Sequence, residues 1–263
     1  MYQSILTEID RGIGIITLNR PERHNAFDEA LIAELSEAIA VISGEPAVRV
    51  VVISSTGKSF CAGADLNWMQ RAAGLSGEEN LRDARVLAEL FRRVAQCPKP
   101  VIARVQGPAY GGGVGLVAAC DIAIGTLDAQ FSLSEVKLGI IPAVISPHVI
   151  GAIGERHARR YMLTAERFSA AEAYRIGLLH EVVTDESGLD DAVGKITEAL
   201  LKNSPNALAE CKSLVAAVAG KSLTAEVVED TAQRITRVRT SPEGREGMSA
   251  FLEKRKPNWI TGN

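Results

Sequence analysis

Two turns built from small residues are the parts of this chain best suited to chemistry. Residues 111–115 read Gly-Gly-Gly-Val-Gly and follow the apolar stretch 101–105, and residues 59–65 read Ser-Phe-Cys-Ala-Gly-Ala-Asp after another apolar stretch. Glycine has no Cβ, so the backbone at such turns can approach a ligand closely. One N–H group from each turn can then bind a single carbonyl oxygen and stabilise negative charge on it. The pattern predicts an oxyanion hole formed by the N–H groups of Ala64 and Gly112.

Glu135 is the preferred candidate acid or base among the few titratable residues near these turns. Its apolar neighbours are expected to desolvate the carboxylate and to raise its pKa toward the pH of catalysis. The alternative interpretation is a carboxylate that begins a helix or pairs with Lys137. Asp121 and Asp65 are expected to orient backbone and to begin a helix, respectively. No Ser-His-Asp order and no metal-ligand spacing is found in the sequence, so no metal site is predicted.

A dinucleotide-binding turn is the main rival for the glycines. Residues 113–118 fit the pattern G-x-G-x-x-A after a strand, and Glu135 lies twenty residues beyond Gly115. In the dinucleotide fold, however, the acidic residue ends the second strand of the unit, whereas Glu135 comes after an additional strand. The oxyanion-hole interpretation is therefore preferred.

Strands and helices alternate through the first part of the chain, which predicts an α/β fold with a curled sheet and helices outside it. Strands are predicted at residues 12–18, 50–53, 100–106, 122–125 and 130–133. In the first part of the chain, helices are predicted after Asp28, at residues 79–95, from the glycine turn to Ala119, and along one stretch that holds His148 and His157. In the second part, helices are predicted at residues 189–201, 206–219, 223–238 and 242–253. The last four have no strand between them. We therefore predict a core of residues 1–195 and a helical region of residues 196–263, which must cover its own core or a neighbouring subunit.

Composition narrows the classes of partner. A net charge of −3 argues against nucleic acid as the main partner. No apolar run approaches the roughly 20 residues of a membrane span, and no secretory signal is found at the N-terminus. The four scattered cysteines are interpreted as reduced thiols. The sequence predicts a cytoplasmic enzyme without a membrane or nucleic-acid partner.

Several motifs in a fixed order resemble the enoyl-CoA hydratase/isomerase (crotonase) family. They are residues 18–21 (Leu-Asn-Arg-Pro), 24–26 (His-Asn-Ala), 60–66 (Phe-Cys-Ala-Gly-Ala-Asp-Leu), 111–113 (Gly-Gly-Gly), 119–121 (Ala-Cys-Asp), 131–142 (Phe-Ser-Leu-Ser-Glu-Val-Lys-Leu-Gly-Ile-Ile-Pro) and 247–255 (Gly-Met-Ser-Ala-Phe-Leu-Glu-Lys-Arg). The resemblance covers nearly the whole chain. It implies a spiral of ββα units with a helical C-terminal region that forms a homotrimer or a dimer of trimers.

The resemblance also implies a substrate and a set of binding residues. The substrate would be a CoA thioester, with no permanently bound cofactor, and the oxyanion donors would be the Ala64 and Gly112 N–H groups. Residues that would bind CoA or the acyl group are Arg23, Ala26, Ala62, Asp65, Leu66, Asn67, Gly115, Ala143, Phe251 and Lys254. Of these, Lys254 would reach a CoA phosphate from a neighbouring subunit.

This sequence departs from the family at one catalytic position. Typical hydratases hold water between two glutamates; the second falls on Glu135, and the first falls on Gly115, which has no side chain. The glycine-rich stretch that usually follows the proline is here Ala-Val-Ile-Ser-Pro-His at residues 143–148. A mechanism with two carboxylates is thereby excluded, and Glu135 alone would take a proton from water and return one to C2.

The absent side chain also suggests a substrate. The sequence is similar to bacterial hydratases of branched glutaconyl-CoAs, such as methylglutaconyl-CoA hydratase. We expect Gly115 to leave room for a branched acyl group or its carboxylate, with Asn67, His148 or water as its partner. Isomerisation of a double bond by the same glutamate, a non-catalytic acyl-CoA-binding protein, and decarboxylation or thioester hydrolysis remain alternatives.

Overall fold

The computed structural model describes residues 2–260, so the outermost residues of the two predicted domains, residue 1 and residues 261–263, lie outside it. One sheet of six strands forms its centre, in the order β1-β2-β3-β4-β6-β9. These strands are β1 (Ile5–Asp10), β2 (Ile13–Leu18), β3 (Val50–Ser55), β4 (Val101–Val105), β6 (Ile122–Thr126) and β9 (Glu181–Val183). A second sheet of three short strands contains β5 (Ala109–Tyr110), β7 (Gln130–Ser132) and β8 (Phe168–Ser169).

The main sheet is covered by helices on both faces. All its pairings are parallel except that of β1 with β2. Alternate residues of β3 enter separate clusters, Val51 and Ile53 in the larger core and Val50 and Val52 in the smaller one on the opposite face. The prediction of a doubly buried strand at residues 50–53 is therefore confirmed. Strand β1 was not predicted, because this edge strand exposes most of its side chains and has no apolar run.

Ten helices are found within residues 2–260, and the predicted α/β fold is confirmed. They are α1 (Glu29–Gly44), α2 (Leu66–Ala72), α3 (Gly77–Ala95), α4 (Gly112–Ala119), α5 (Ser146–Thr164), α6 (Ala170–Arg175), α7 (Glu186–Leu201), α8 (Pro205–Val218), α9 (Ala225–Thr240) and α10 (Pro242–Leu252). The stretch that holds His148 and His157 is not one regular helix. Gly154 interrupts α5 with φ 71° and ψ 161°, a left-handed conformation that glycine adopts without strain.

Helix α4 is the element that positions the glycine turn. It is apolar on every side, and six of its eight residues are buried. It packs against α3 and α5, so its N-terminus is held in place by the core rather than by a capping side chain. A helix that is apolar all round belongs inside a domain.

The C-terminal helices are attached to this core in two different ways. Helix α7 buries Leu189, Ala192 and Val193 against the second face of the sheet, so the predicted division after residue 195 falls inside a helix that belongs to the core. Helices α8, α9 and α10 pack on one another instead. The Arg49 guanidinium donates to the Asn203 carbonyl (2.6 Å) and holds this layer to the sheet. The division into two domains stays a prediction, and the packing favours a boundary after α7.

Candidate active site

The two small-residue turns lie side by side. Phe27 bridges the first turn, because its N–H donates to the Gly63 carbonyl (2.6 Å) and its carbonyl accepts from the Asp65 N–H (2.8 Å). A Cβ placed on Gly63 would lie 2.9 Å from the Tyr110 carbonyl oxygen and 3.8 Å from the Gly111 Cα. This contact joins the turn before α2 to the turn before α4, as the sequence predicts.

The two predicted oxyanion donors are both free to bind a ligand. Ala64 lies between the two residues that bond to Phe27, and within residues 2–260 its own N–H has no acceptor. Gly112 is the first residue of α4, so its N–H has no partner inside the helix, and no other described group accepts from it. The positive end of the helix dipole adds to the attraction for a negative oxygen at this position.

Two glycines of the second turn are required by its geometry. Gly111 has φ 49° and ψ −117°, outside the regions that side-chain-bearing residues prefer. A Cβ on Gly113 would lie 2.3 Å from the Cys61 carbonyl oxygen, so only glycine allows α4 to approach the first turn this closely. The glycine cluster therefore brings the two turns together as well as presenting an N–H group.

Glu135 lies directly beside the second turn. It begins a short 3₁₀ helix, Glu135–Leu138, and its Oε1 is 3.0 Å from the position that a Cβ on Gly111 would take. Its Oε2 is buried and makes no hydrogen bond within the described residues. Burial raises the pKa of this carboxyl above its usual value, as predicted. Lys137 is exposed and forms no ion pair with Glu135, so the interpretation of Glu135 as its partner is wrong.

Asp65 holds the first turn, as its predicted role at a helix start implies. Its Oδ1 accepts from the N–H groups of Asn67 (2.9 Å) and Trp68 (3.2 Å) at the N-terminus of α2. Burial by itself would raise the pKa of Asp65, but these hydrogen bonds and the nearby Arg23 charge lower it overall. The carboxylate therefore stays ionised and fixes the residue next to Ala64.

Arg20 is a supporting residue that the sequence interpretation missed. Its side chain is about one-tenth exposed and lies 2.6 Å from the Asp28 carboxylate and 3.7 Å from that of Asp65. Asp28 caps α1 by accepting from the Leu31 N–H, as predicted. One guanidinium thus joins the N-terminal caps of α1 and α2. The motif Asn-Arg-Pro at residues 19–21 was the available signal, but it does not reveal that the arginine is buried.

The predicted CoA-binding segment of Arg23 and Ala26 lies next to the first turn, and Ala26 is buried there. The Ala62 N–H donates to the His24 carbonyl (3.0 Å), which joins the segment of Arg23 and Ala26 to the turn. Arg23 Nη1 lies 3.4 Å from Asp65 Oδ2 and its side chain is half exposed, so it remains accessible to a phosphate. Leu66, Asn67 and Ala143 are also exposed.

Phe251 and Lys254 are not joined to this site within one chain. Both are exposed, and Phe251 lies on α10, whose main contacts are with α8 and α9. Among residues 2–260, no hydrogen bond or ion pair connects either side chain to Glu135 or to the two turns. Their assignment to CoA remains a prediction that requires a neighbouring subunit.

The expected open space at Gly115 is absent. Gly115 is buried, and a Cβ placed on it would lie 2.2 Å from Ile145 Cγ2 and 2.7 Å from Ile145 Cβ. Phe91 lies 3.4 Å from the same position. The expectation that this glycine leaves room for a branched acyl group or its carboxylate is therefore wrong, because the Ile145 side chain already fills that volume.

Asp121 has the structural role that the sequence predicts. Its Oδ2 accepts from the Val101 N–H (2.7 Å) and from Lys212 Nζ (2.6 Å). Burial raises the pKa of Asp121, and Lys212 opposes that shift. Asp121 follows the C-terminal end of α4, so it lies far from the oxyanion turns.

A cavity of about 430 Å³ lies at this same end of α4. Its lining includes Ala118, Asp121, His148, Ala152 and His180. The His148 ring is half-buried, with its centroid 6.1 Å from that of Phe91, and burial lowers its pKa. His148 therefore faces this cavity and Phe91, one helical turn beyond Ile145.

Two negative findings concern the described part of the chain. Its His, Cys, Asp and Glu side chains include no group of three that could hold a metal ion. None of its helices combines the length and the apolar character needed to cross a membrane.

Comparisons with known proteins agree on one family. The sequence profile described as enoyl-CoA hydratase/isomerase matches residues 8–262. The chain is 34% identical to crotonyl-CoA hydratase of Syntrophomonas wolfei, over 99% of both proteins. It is 32% identical to 1,2-epoxyphenylacetyl-CoA isomerase of Escherichia coli, over 98% of this chain and 99% of that protein. A crystal structure of an enoyl-CoA hydratase from Shewanella pealeana superposes with a TM-score of 0.95 at 43% identity, covering 98% of this chain and 96% of that one.

Proposed function

Because the chain belongs to the enoyl-CoA hydratase/isomerase (crotonase) family and has its fold, we propose that it adds water to the C2=C3 bond of a 2-enoyl-CoA. The observation that carries this proposal is the position of Glu135. Its Oε2 is buried and makes no hydrogen bond within the described residues, and the carboxylate lies beside the turn that presents the Gly112 N–H. A base with a raised pKa next to a pair of free N–H donors suits the formation of an enolate.

In the first step the thioester carbonyl oxygen accepts hydrogen bonds from the N–H groups of Ala64 and Gly112. These bonds draw electron density from C3. Glu135 removes one proton from a water molecule while the water oxygen bonds to C3. The electron pair of the C2=C3 bond moves toward the carbonyl, and the resulting negative charge is stabilised by the two N–H donors.

In the second step the protonated Glu135 returns its proton to C2. The enolate collapses to the thioester, and the net change is the addition of one water molecule. Because the same carboxyl serves both carbons, H and OH add to the same face of the double bond. The raised pKa of Glu135 makes it a competent acid as well as a competent base near neutral pH.

Isomerisation is the second candidate, favoured by the apolar side chain of Ile145 next to Gly115. With no second carboxylate to hold a water molecule, Glu135 could instead move a proton between C2 and C4. Proteins named as isomerases are also among the relatives. Hydration and isomerisation use the same base and oxyanion hole, and they differ in whether water is admitted.

The acyl group is proposed on narrower grounds. The similarity to hydratases of branched glutaconyl-CoAs still supports a short branched acyl group with a carboxylate, such as methylglutaconyl-CoA. Gly115 offers no space for such a group, because Ile145 fills that volume. Asn67, exposed in the first turn of α2 and two residues from the Asp65 cap, is the partner that we propose for such a carboxylate.

Oligomerisation would complete the CoA site. Helices α8 and α9 have no fully buried residue, and several large apolar side chains are exposed on or next to the C-terminal helices. They are Val215, Leu223, Val228, Ile235, Met248, Phe251 and Leu252. We propose that this face joins copies of the chain into a trimer or a dimer of trimers in the cytoplasm, with Lys254 contacting a CoA phosphate of its neighbour. Light scattering of the purified protein tests the assembly; a monomer would contradict it.

A panel of enoyl-CoAs tests the activity. Loss of the conjugated thioester absorbance is followed for crotonyl-CoA and methylglutaconyl-CoA, and the products are identified by mass. A gain of one water supports hydration, whereas an unchanged mass with a moved double bond supports isomerisation. We expect higher kcat/KM with methylglutaconyl-CoA; an equal or reversed preference contradicts the proposed acyl group. No reaction with any enoyl-CoA would refute the proposed function.

A further inference from the structure

We propose that Ile145 limits the length of the acyl chain that the enzyme accepts. Its side chain would separate the site of the enoyl group from the cavity at the far end of α4. This inference rests on the proposed function, because it assigns a role to a side chain in the site for the enoyl group. Ile145 occupies the volume next to Gly115, where the family has a glutamate. Its side chain would exclude long linear enoyl-CoAs.

Ile145 and Gly115 share one volume. The exposed fraction of Ile145 is 3%, and its Cγ2 lies 2.2 Å from where a Cβ on Gly115 would be. A glutamate at residue 115 is therefore incompatible with an isoleucine at residue 145. The sequence departs from the family motif by the lost carboxylate and by the lost glycine-rich stretch. These two departures depend on each other, because Ile145 fits only where residue 115 has no side chain.

The acyl chain of a bound thioester would run toward this pair. Gly112, whose N–H faces the thioester oxygen, and Gly115 lie three residues apart and so share one face of α4. Phe91 lies within 4.0 Å of the Cβ positions of both glycines and forms a common apolar wall. Ile145 lies at the far end of this wall, where a substituent beyond C3 would arrive.

The cavity lies one helical turn beyond Ile145, which is not itself among its lining residues. Ala118 continues the same face of α4 one turn after Gly115, and His148 follows Ile145 by one turn at the start of α5; both line the cavity of about 430 Å³. Such a volume is within the range of small-molecule sites. Ala118 lies about 9 Å along the helix axis from Gly112, which an extended eight-carbon chain can span. Ile145, which lies against Gly115 and one turn before His148, is the side chain that separates the two spaces in this proposal.

Ile145→Ala is the variant that tests this role. We measure kcat/KM for crotonyl-CoA and for linear 2-octenoyl-CoA and compare their ratio with that of the wild-type protein. Removing the side-chain carbons beyond Cβ should raise the octenoyl/crotonyl ratio by about tenfold or more, the usual effect of opening a hydrophobic pocket. Ile145→Val, a smaller change that preserves folding more readily, should raise the ratio by a lesser factor.

Ile153→Ala is the matched control. Ile153 has the same residue type and the same 3% exposure and lies eight residues further along, away from Gly115. It should lower the melting temperature to a similar extent and leave the octenoyl/crotonyl ratio unchanged. An unchanged ratio in both Ile145 variants, or an equal rise in Ile153→Ala, would overturn the inference.

The shared volume has its own test by thermal unfolding. Gly115→Ala and Ile145→Gly should each lower the melting temperature, and the loss in the double variant should be smaller than the sum of the two single losses. Additive losses would show that the two residues do not share a volume and would overturn the inference. Failure of the proposed function is distinguishable, since the wild-type protein would then hydrate no enoyl-CoA, whereas failure of the inference leaves crotonyl-CoA hydration intact.

Discussion

Asp121 and Glu135 are two half-buried carboxylates at opposite ends of the same helix, α4. Burial raises the pKa of both. Asp121 accepts from the Val101 N–H and from Lys212, which lies 2.6 Å away. Glu135 has a buried oxygen with no hydrogen-bond partner within the described residues.

The difference shows how the same chemical group becomes structural or reactive. A carboxylate whose hydrogen bonds are satisfied by the protein holds elements together and has no capacity left for a substrate. A carboxylate oxygen that no protein group binds is available to a water molecule or to a substrate proton. Glu135, which has an oxygen free of protein partners, lies at the N-terminus of α4 beside the free N–H groups. Asp121, whose carboxylate is bound by protein groups, follows the C-terminal end of the same helix.

Replacing Glu135 should have the largest effect on activity. Glu135→Gln keeps the size of the side chain and removes the base, so kcat should fall by about 10²–10⁴-fold. The folded-state pKa of Glu135 is raised, so ionisation of this carboxyl opposes folding. The protonated carboxyl stabilises the folded protein fully at a pH below the unfolded-state pKa. This stabilisation is lost as the pH rises through the folded-state pKa. The melting temperature at pH 7 should therefore stay the same or rise. Full activity in this variant would refute the single-base mechanism.

Replacing Asp121 should produce the opposite pattern. Asp121→Ala leaves Lys212 and the Val101 N–H without their partner, so we expect a loss of about 2–4 kcal/mol in the free energy of unfolding. The value of kcat, measured well below the melting temperature, should not change. Asp190→Ala is the control, because Asp190 pairs with Arg104 while its side chain is 66% exposed. This variant should lose less than about 1 kcal/mol in the free energy of unfolding. Denaturant unfolding measures both losses, and a large decrease of kcat in Asp121→Ala would erase the contrast.

Asp65 lies between these extremes, since it is a structural carboxylate next to Ala64, whose N–H is one of the proposed oxyanion donors. Asp65→Ala removes the cap of α2 and should lower the free energy of unfolding by about 0.5–2 kcal/mol. It should also lower kcat, because the Ala64 N–H is no longer fixed. Asp28→Ala, which removes the cap of α1 and the other partner of Arg20, should lose similar stability with a smaller decrease of kcat. Equal kcat effects in the two variants would mean that Asp65 does not position Ala64.

The smallest effect expected is on the pH profile. Glu135 must be ionised to accept a proton, and its raised pKa places the loss of kcat/KM on the acid side above the ordinary glutamate value of about 4.3. Activity should therefore fall at a pH at which circular dichroism still reports the folded protein. If activity is lost only at the pH at which the protein unfolds, the prediction that Glu135 titrates as the base is wrong.

Most of the site could be predicted from the order of motifs. The sequence predicted the turns at Ala64 and Gly112, the desolvated carboxyl of Glu135, the cap Asp65 and the structural role of Asp121. Each depends on local sequence: small residues after a strand, or a carboxylate beside apolar residues. Strand β1 and the buried Arg20 were not predicted. Both depend on what packs against them rather than on their own neighbours in the chain.

The sequence by itself determined that this protein has two glycine-containing turns, one carboxylate suited to be a base, and no side chain at residue 115. Only the tertiary structure decided what the missing side chain means. Residues 115 and 145 are thirty positions apart, and packing of α4 on α5 brings the Ile145 methyl group into the place of a Cβ on Gly115. A close-packed interior leaves few voids, so an absent side chain predicts a cavity only where no neighbour fills it.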